Sequence, residues 1–309
     1  MKLYVGVTDT EWFKNLASQV PAVADINFWK PGGGSFAALE PGCPFAFKLK
    51  APINKIAGVG FFHSFNSLPL RLMWETFGVR NGRDSYAEIA AAISRYRNAV
   101  ATAASDVGCI LLENPVFFDE VDWIDAPSDW SHSIVQGKGY DTTVGVGALL
   151  WNRIELLLKA GHGKTASGIS ASLLPSVFGK EYLRKSRPGQ AGFRLGLLDA
   201  YGNRCAITGE NIVPVLEAAH IQPVEREGSN DLTNGLVLRS DMHKLFDDGL
   251  IGIAPDRTVM VSKQIREKYV NGKVYYNWDG KPLTVMPADD QLLPSTERLE
   301  WHMKNVWSG

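Results

Sequence analysis

Apolar and polar positions alternate through much of the first half of the chain. KLYVGVT (2–8) reads as a strand, PFAFKLK (44–50) alternates, and PINKIAGVGFFHSF (52–65) supplies the apolar runs of a strand pair. GCILLENPVFF (108–118) is a nearly continuous apolar run, the mark of a strand buried on both faces. Pro115 is its expected end, because proline has no N–H to donate to a ladder. LRLMWETFG (71–79) and SYAEIAAAISRYRNAV (85–100) change to helical spacing. In the second of these, Ser85 is placed to cap the helix and Glu88 sits three residues on. Strands wrapped by one or two helices predict a compact mixed barrel over residues 1–155.

Residues 156–192 break this pattern with Gly, Ser, Lys and Pro, and read as a connector with a short helical piece over 175–185. Within it, GHGKT (161–165) ends like a phosphate-binding loop. The spacing Gly-x4-Gly-Lys requires glycine where Leu158 stands, and no strongly apolar strand leads in, so no NTP site is expected. Residues 193–309 form a second domain. AGFRLGLLDAYGNRC (191–205) has helical spacing with Gly202 as its stop. VLEAAHIQPV (215–224) is a strand, EGSND a polar loop and NGLVLR (234–239) the returning strand. DMHKLFDDG follows as a short helix that Ser240 caps and Gly249 closes. This strand-strand-helix unit carries His220, Asn234 and His243, 14 and then 9 residues apart.

Composition adds little, and charge a little more. At 309 residues, 45% hydrophobic and 21% charged, the chain has the make-up of an ordinary globular protein with room for two domains. A net charge of -1 carries no global nucleic-acid signal. Locally, residues 159–204 hold eight basic side chains against two acidic ones, an excess of six. That stretch suits either a polyanion or a solvated basic linker. Three cysteines far apart, with no CxxC pair, indicate a reducing compartment, and a cytoplasmic location is expected. The N-terminus lacks an apolar signal core, and no run of about 18 apolar residues exists, so no membrane association is expected.

CAITG, LEAAHIQP and NGLVLRSDMHKLFDDGL, over roughly residues 200–255, resemble the HNH nucleases, in which a β-hairpin and helix grip one divalent ion. The resemblance implies a ββα-metal endodeoxyribonuclease. His220 would be the general base, since a neutral imidazole can take a proton from water near pH 7. Asn234 would orient the hairpin and His220, and His243 would ligate the metal. Asp247, one helical turn on, would be a second ligand or an outer partner. Arg239 would contact the scissile phosphate, with Lys185 and Arg187 on the phosphate backbone. The ion would be Mg2+ or Mn2+, with Co2+ and Ni2+ as further candidates. Many members carry an acidic or His ligand just before the catalytic His, where this chain has Ala219. Glu217 or Asp247 would then substitute. Thr208 stands where some relatives have the second cysteine of a zinc-binding CxxC pair, so Cys205 is expected to be packed and no structural zinc is expected.

In the first half, NFWKPGG, PGCPFAFKLK, INKIAGVGFF, LENPVFF and QGKGYD resemble the EVE domains of the PUA-like superfamily, small barrels that bind modified bases. The resemblance puts Trp29, Phe62, His63 and Ser64 in a base pocket built of stacking faces and hydrogen-bonding groups. The fold expected is therefore α+β, with an N-terminal PUA-like/EVE mixed barrel and a C-terminal HNH domain. Such a fusion looks like the modification-dependent HNH restriction endonucleases, acting on double-stranded DNA with 5-hydroxymethyl- or 5-methylcytosine. Because one HNH site cuts one strand, a homodimer is expected. Two other functions compete with this one: a sequence-directed nuclease on unmodified DNA, and a non-catalytic reader of modified nucleic acid.

Overall fold

The structure, a computed structural model, describes residues 1–309 except 20, 21, 166–173, 177, 179–188, 270 and 271. It divides into two compact units, Met1–Ser186 and Arg187–Gly309. The helix expected over 175–185 falls, apart from residues 175, 176 and 178, outside the described residues, as do the side chains of Lys185 and Arg187.

The first unit is built on one mixed sheet. Its strands are β1 (Lys2–Thr8), β2 (Asp25–Lys30), β3 (Pro44–Leu49), β4 (Lys55–Pro69), β5 (Asp106–Phe117), β6 (Ile124–Asp125) and β7 (Gly137–Asp141). The order is β2-β5-β4-β3-β1-β7, with β6 paired to β4. Only β1 and β3 run parallel; the other pairings are antiparallel. The period-2 alternation sends adjacent residues to opposite faces. Phe61 joins Leu3, Val5 and Val59 on one face, and Phe62 joins Phe45, Phe47 and Leu112 on the other. Helix α1 (Thr10–Ala17) covers the second face with Trp12, Phe13 and Leu16. Helices α2 (Leu70–Phe77) and α3 (Tyr86–Arg97) follow β4, and the Ser85 hydroxyl accepts from Glu88 N as expected. Helix α4 (Gly145–Lys159) covers the first face with Ile154, Leu157 and Leu158, carrying this unit past residue 155.

Two expectations for the strands need correction. The strand pair over 52–65 is a single 15-residue strand, because Pro52 and Ile53 are spent in a turn that Asn54 N closes onto Lys50 O at 3.2 Å. Strand β5 also continues through Pro115 to Phe117. A register shift opposite Val59 and Phe61, with Asn114 at φ 47°, leaves Pro115 at a bulge where no N–H is required. GHGKT pairs with the sheet instead of forming a free loop: Lys164 N donates to Phe117 O at 2.8 Å, and Phe117 N donates to Lys164 O at 3.0 Å.

The second unit starts with α5 (Gln190–Ala200), followed by β8 (Leu216–His220), β9 (Gly235–Arg239) and α6 (Ser240–Asp247). Strands β8 and β9 are antiparallel, with His220 opposite Gly235. Ser240 is the first residue of α6 and makes no capping hydrogen bond; Arg239 holds the cap position. Strands β10 (Ile251–Ile253) and β11 (Val259–Val261) form a hairpin, followed by α7 (Gln264–Tyr269) and α8 (Thr296–Asn305). Phe193, Leu197, Ala219, Leu236, Phe246 and Leu299 share its core. Cys205 is fully buried, and its sulfur accepts from Thr208 N and Arg239 N at 3.4 and 3.3 Å. Among the described residues no helix is long and apolar enough to cross a membrane.

Candidate active-site cleft and aromatic cavity

In the second unit, β8, the loop after it, α6 and α8 surround a cleft of about 790 Å³. Its walls include Ala218, His220, Arg226, Asn230, His243, Asp247, Asp248 and His302. His220 ends β8. Its ring stacks on Phe193 at 4.0 Å and 10°, and its Nε2 lies 3.0 Å from Asn230 Oδ1. Asn234 is fully buried below. Its Nδ2 donates to Gln222 O and Ser229 O at 2.9 and 2.8 Å, and its Oδ1 accepts from Gln222 N at 3.0 Å. Asn234 thus staples both ends of the loop that follows His220. None of these hydrogen bonds goes to the imidazole; an unpaired group in so buried a position would cost about 1–3 kcal/mol.

His243 stands on α6 between two carboxylates. Nδ1 donates to Glu217 Oε2 at 2.6 Å, and Nε2 lies 3.4 Å from Asp247 Oδ2. With the proton on Nδ1, the Nε2 lone pair and the Asp247 carboxylate present two donor atoms side by side. This is how an outer carboxylate orients a metal-ligating histidine. Glu217 would take that outer position if His243 held an ion, while Ala219 is fully buried in the core. Burial pushes the Asp247 carboxyl above its ordinary range, and the nearby Asp248 and Glu217 charges add to this against His243 and Lys244. Asp247 is nevertheless exposed, and a carboxylate whose charge is disfavoured in this way gains from a nearby cation. One imidazole nitrogen and one carboxylate fit a divalent ion chemically. Among the described residues, however, no three His, Cys, Asp or Glu side chains are grouped to hold one. Water or substrate oxygens would have to complete the shell.

Arg239 is not among the cleft walls. Asp241 holds its guanidinium through two bonds, Nε to Oδ1 at 2.6 Å and Nη2 to Oδ2 at 2.8 Å. Among the described lining residues the one arginine is Arg226, on the loop between β8 and β9. His302 also lines the cleft, stacked on Phe246 at 3.8 Å and 6°, with Nε2 donating to Phe246 O at 3.1 Å. Neither residue belongs to a sequence motif: Arg226 lies between the two strands of the strand-strand-helix unit and His302 lies beyond that unit.

The first unit holds a cavity of about 430 Å³, within the roughly 300–1,000 Å³ range of small-molecule sites. Tyr4, Trp12, Phe28, Trp29, Phe36 and Tyr96 supply aromatic walls, and Asp9, Lys50 and Gln136 supply polar groups. Trp29 Nε1 donates to Asn81 O at 3.1 Å, and its ring lies 5.7 Å from that of Tyr96. Lys50 Nζ donates to Tyr96 Oη at 2.6 Å and stands over the Tyr96 ring, while Tyr96 donates to Asp9. Burial acts to raise the Asp9 carboxyl, but hydrogen bonds from Tyr96 and Trp12 N and the Arg83 charge outweigh it and hold it low.

Of the four residues expected in a base pocket, only Trp29 lines this cavity. Phe62 packs in the sheet core 5.4 Å from Phe36. His63 is buried 3.8 Å from Glu113, and Ser64 lies 3.1 Å from His63 Nδ1. Their strand, β4, is central, so alternation turns these side chains into the protein.

Burial pushes both His63 and His302 down to about 4. In the unfolded chain they titrate near the ordinary value of about 6.5. The unfolded state therefore binds protons first as pH falls, and folding stability drops between about 6.5 and 4. Each histidine contributes up to about 3 kcal/mol to that loss. Thermal melts from pH 8 to pH 4 should show the first unit losing less in His63→Phe, and the second losing less in His302→Phe.

A family model described as HNH endonuclease matches residues 205–254. Among solved structures, a mutant of the ASCH protein from Zymomonas mobilis is similar at 10% identity, over 48% of this chain and 94% of that one, with TM-score 0.34. The ASCH protein itself is similar at 13%, over 37% and 70%, with TM-score 0.27. A structure titled modification dependent TagI restriction endonuclease is similar at 13%, over 87% of this chain and 63% of that one, with TM-score 0.30. No curated protein matches. The cleft residues His220, His243 and Asp247, and Asn234 buried beneath them, all fall inside the matched segment, and the chain carries an HNH-type endonuclease domain over residues 205–254.

Proposed function

We propose that this protein is a divalent-metal-dependent endonuclease restricting double-stranded DNA that carries 5-hydroxymethyl- or 5-methylcytosine. The observation that carries the nuclease chemistry is the shared cleft of His220, His243 and Asp247. His220 takes the proton of the attacking water, and the water oxygen bonds to phosphorus as the bond to the leaving oxygen breaks. Asn234 keeps the loop after His220 closed, and Glu217 holds the His243 ring. His243 and Asp247 would hold the ion, which stabilises charge on the phosphate and leaving oxygen when bound. Arg226, at the cleft edge, takes the phosphate contact in place of Arg239.

The aromatic cavity is the proposed base site. Stacking on Trp29 and Tyr96 suits any flipped base, and Lys50 and Gln136 offer hydrogen bonds to its edge. Lys30, which lines the cavity, and Arg97, whose Nη1 donates to Pro31 O at 3.1 Å, put positive charge at the glycine loop for the flanking phosphates. Two copies, each cutting one strand, would produce a double-strand break.

Matched plasmids with and without 5-hydroxymethylcytosine or 5-methylcytosine test the proposal. Cleavage of the modified plasmid alone is expected. Equal cutting of both would return the sequence-directed reading.

A further inference from the structure

We infer that Asn230 sets the tautomer of His220, and so selects the ring nitrogen that serves as the base; this rests on the endonuclease reading of the cleft. Asn230 Oδ1 lies 3.0 Å from His220 Nε2. An amide oxygen only accepts, so Nε2 carries the proton and the lone pair is on Nδ1. The ring is not free to turn away, because its face is stacked on Phe193 at 4.0 Å.

Asn230 is itself held from both sides. Asn234 Nδ2 donates to Ser229 O at 2.8 Å, and Ser229 Oγ donates to Asp231. Arg298, on α8, reaches Ser229 Oγ at 3.1 Å and Asp231 Oδ2 at 3.5 Å. A network therefore runs from Arg298, beyond the matched residues 205–254, through the loop to His220. Asn230 acts as a positioning residue: its oxygen takes no part in bond making, but it decides which nitrogen can accept the proton of water. The logic is that of a base oriented by a third group.

The test replaces an acceptor with an acceptor, and an acceptor with a donor. Asn230→Asp keeps an oxygen against Nε2 and is expected to keep turnover. Asn230→Lys puts a donor there, moves the proton to Nδ1 and lowers kcat about 10–100-fold, the usual cost of losing an outer partner. KM for DNA is not expected to rise, because the added positive charge favours binding. The tautomer is read directly on the full chain labelled with 15N-histidine, without metal or DNA. Long-range 15N–1H correlations report it, with the His220 signals identified by their loss in His220→Gln. The expected result is a proton on Nε2 in the wild type and Asn230→Asp, and on Nδ1 in Asn230→Lys. A wild-type spectrum with the proton on Nδ1, or wild-type turnover by Asn230→Lys, overturns the inference. Should Asn230→Lys fail to fold, the wild-type and Asn230→Asp spectra still decide it. If no protein cleaves DNA while the spectra come out as expected, the endonuclease reading has failed and the tautomer assignment stands.

Discussion

His220→Ala is expected to lower turnover on modified DNA about 10²–10⁴-fold, the contribution of a placed general base. DNA affinity is expected to stay unchanged in the same protein. The reasons lie in the surroundings of the ring. His220 is half-buried on the cleft wall, with one face on Phe193 and one nitrogen on Asn230. Removing it costs a stacking contact but no part of the sealed core, which is built by Ala219, Leu236, Phe246 and their neighbours. Arg226, the residue proposed to contact the phosphate, is left in place by the substitution. Single-turnover rates at saturating DNA, read beside a binding titration, separate the two effects. Cleavage by His220→Ala at the wild-type rate would remove this residue from the reaction, and the proposed chemistry with it.

Trp29→Ala weakens binding to a modified duplex by about 1–3 kcal/mol, roughly 5–150-fold, the range for one base stacked on one aromatic side chain. Trp29 is half-buried at the end of β2, and its Nε1 bond to Asn81 O fixes the plane of the ring beside the cavity. Turnover at saturating DNA stays near that of the wild type, since the cleft belongs to the other unit. Trp29→Phe keeps a stacking face but loses the anchor, and falls between the two. Fluorescence titrations with matched modified and unmodified duplexes measure this. An equal loss of affinity for both would mean that the cavity grips DNA without reading the base.

The nuclease unit was legible in the chain because its signal is local. VLEAAHIQPV, NGLVLR and DMHKLFDDG each mark their own element through apolar period and Asn or Gly punctuation, and they follow one another within about 35 residues. The aromatic cavity was legible only through Trp29. Its other groups, Asp9, Lys50 and Tyr96, come from the start of α1, the end of β3 and the last turn of α3. Asp9 looks like a helix cap, which it also is, and Tyr96 looks like one more residue of an exposed helix. Phe62, His63 and Ser64 were expected in a base pocket from the resemblance, and none of them lines this cavity. Burial of a strand face depends on its neighbours, and β5, which closes the far side of β4, comes from a distant stretch of chain.

Residue types and periodicity alone determined the β-β-α order and the positions of His220, Asn234 and His243 along it; the expectation of a ligand where Ala219 stands came from the resemblance to the HNH nucleases. Tertiary structure alone decided how those side chains are used. It gave Glu217 to His243 Nδ1, Asn230 to His220 Nε2, and Asp241 to the guanidinium of Arg239. It also brought Arg298 and His302 from α8 to the loop after His220 and to α6. The division has a physical cause. Periodicity is set by the backbone within a few residues, whereas a hydrogen bond acts over about 3 Å and within a narrow angle. Its partner is chosen only once distant segments have packed.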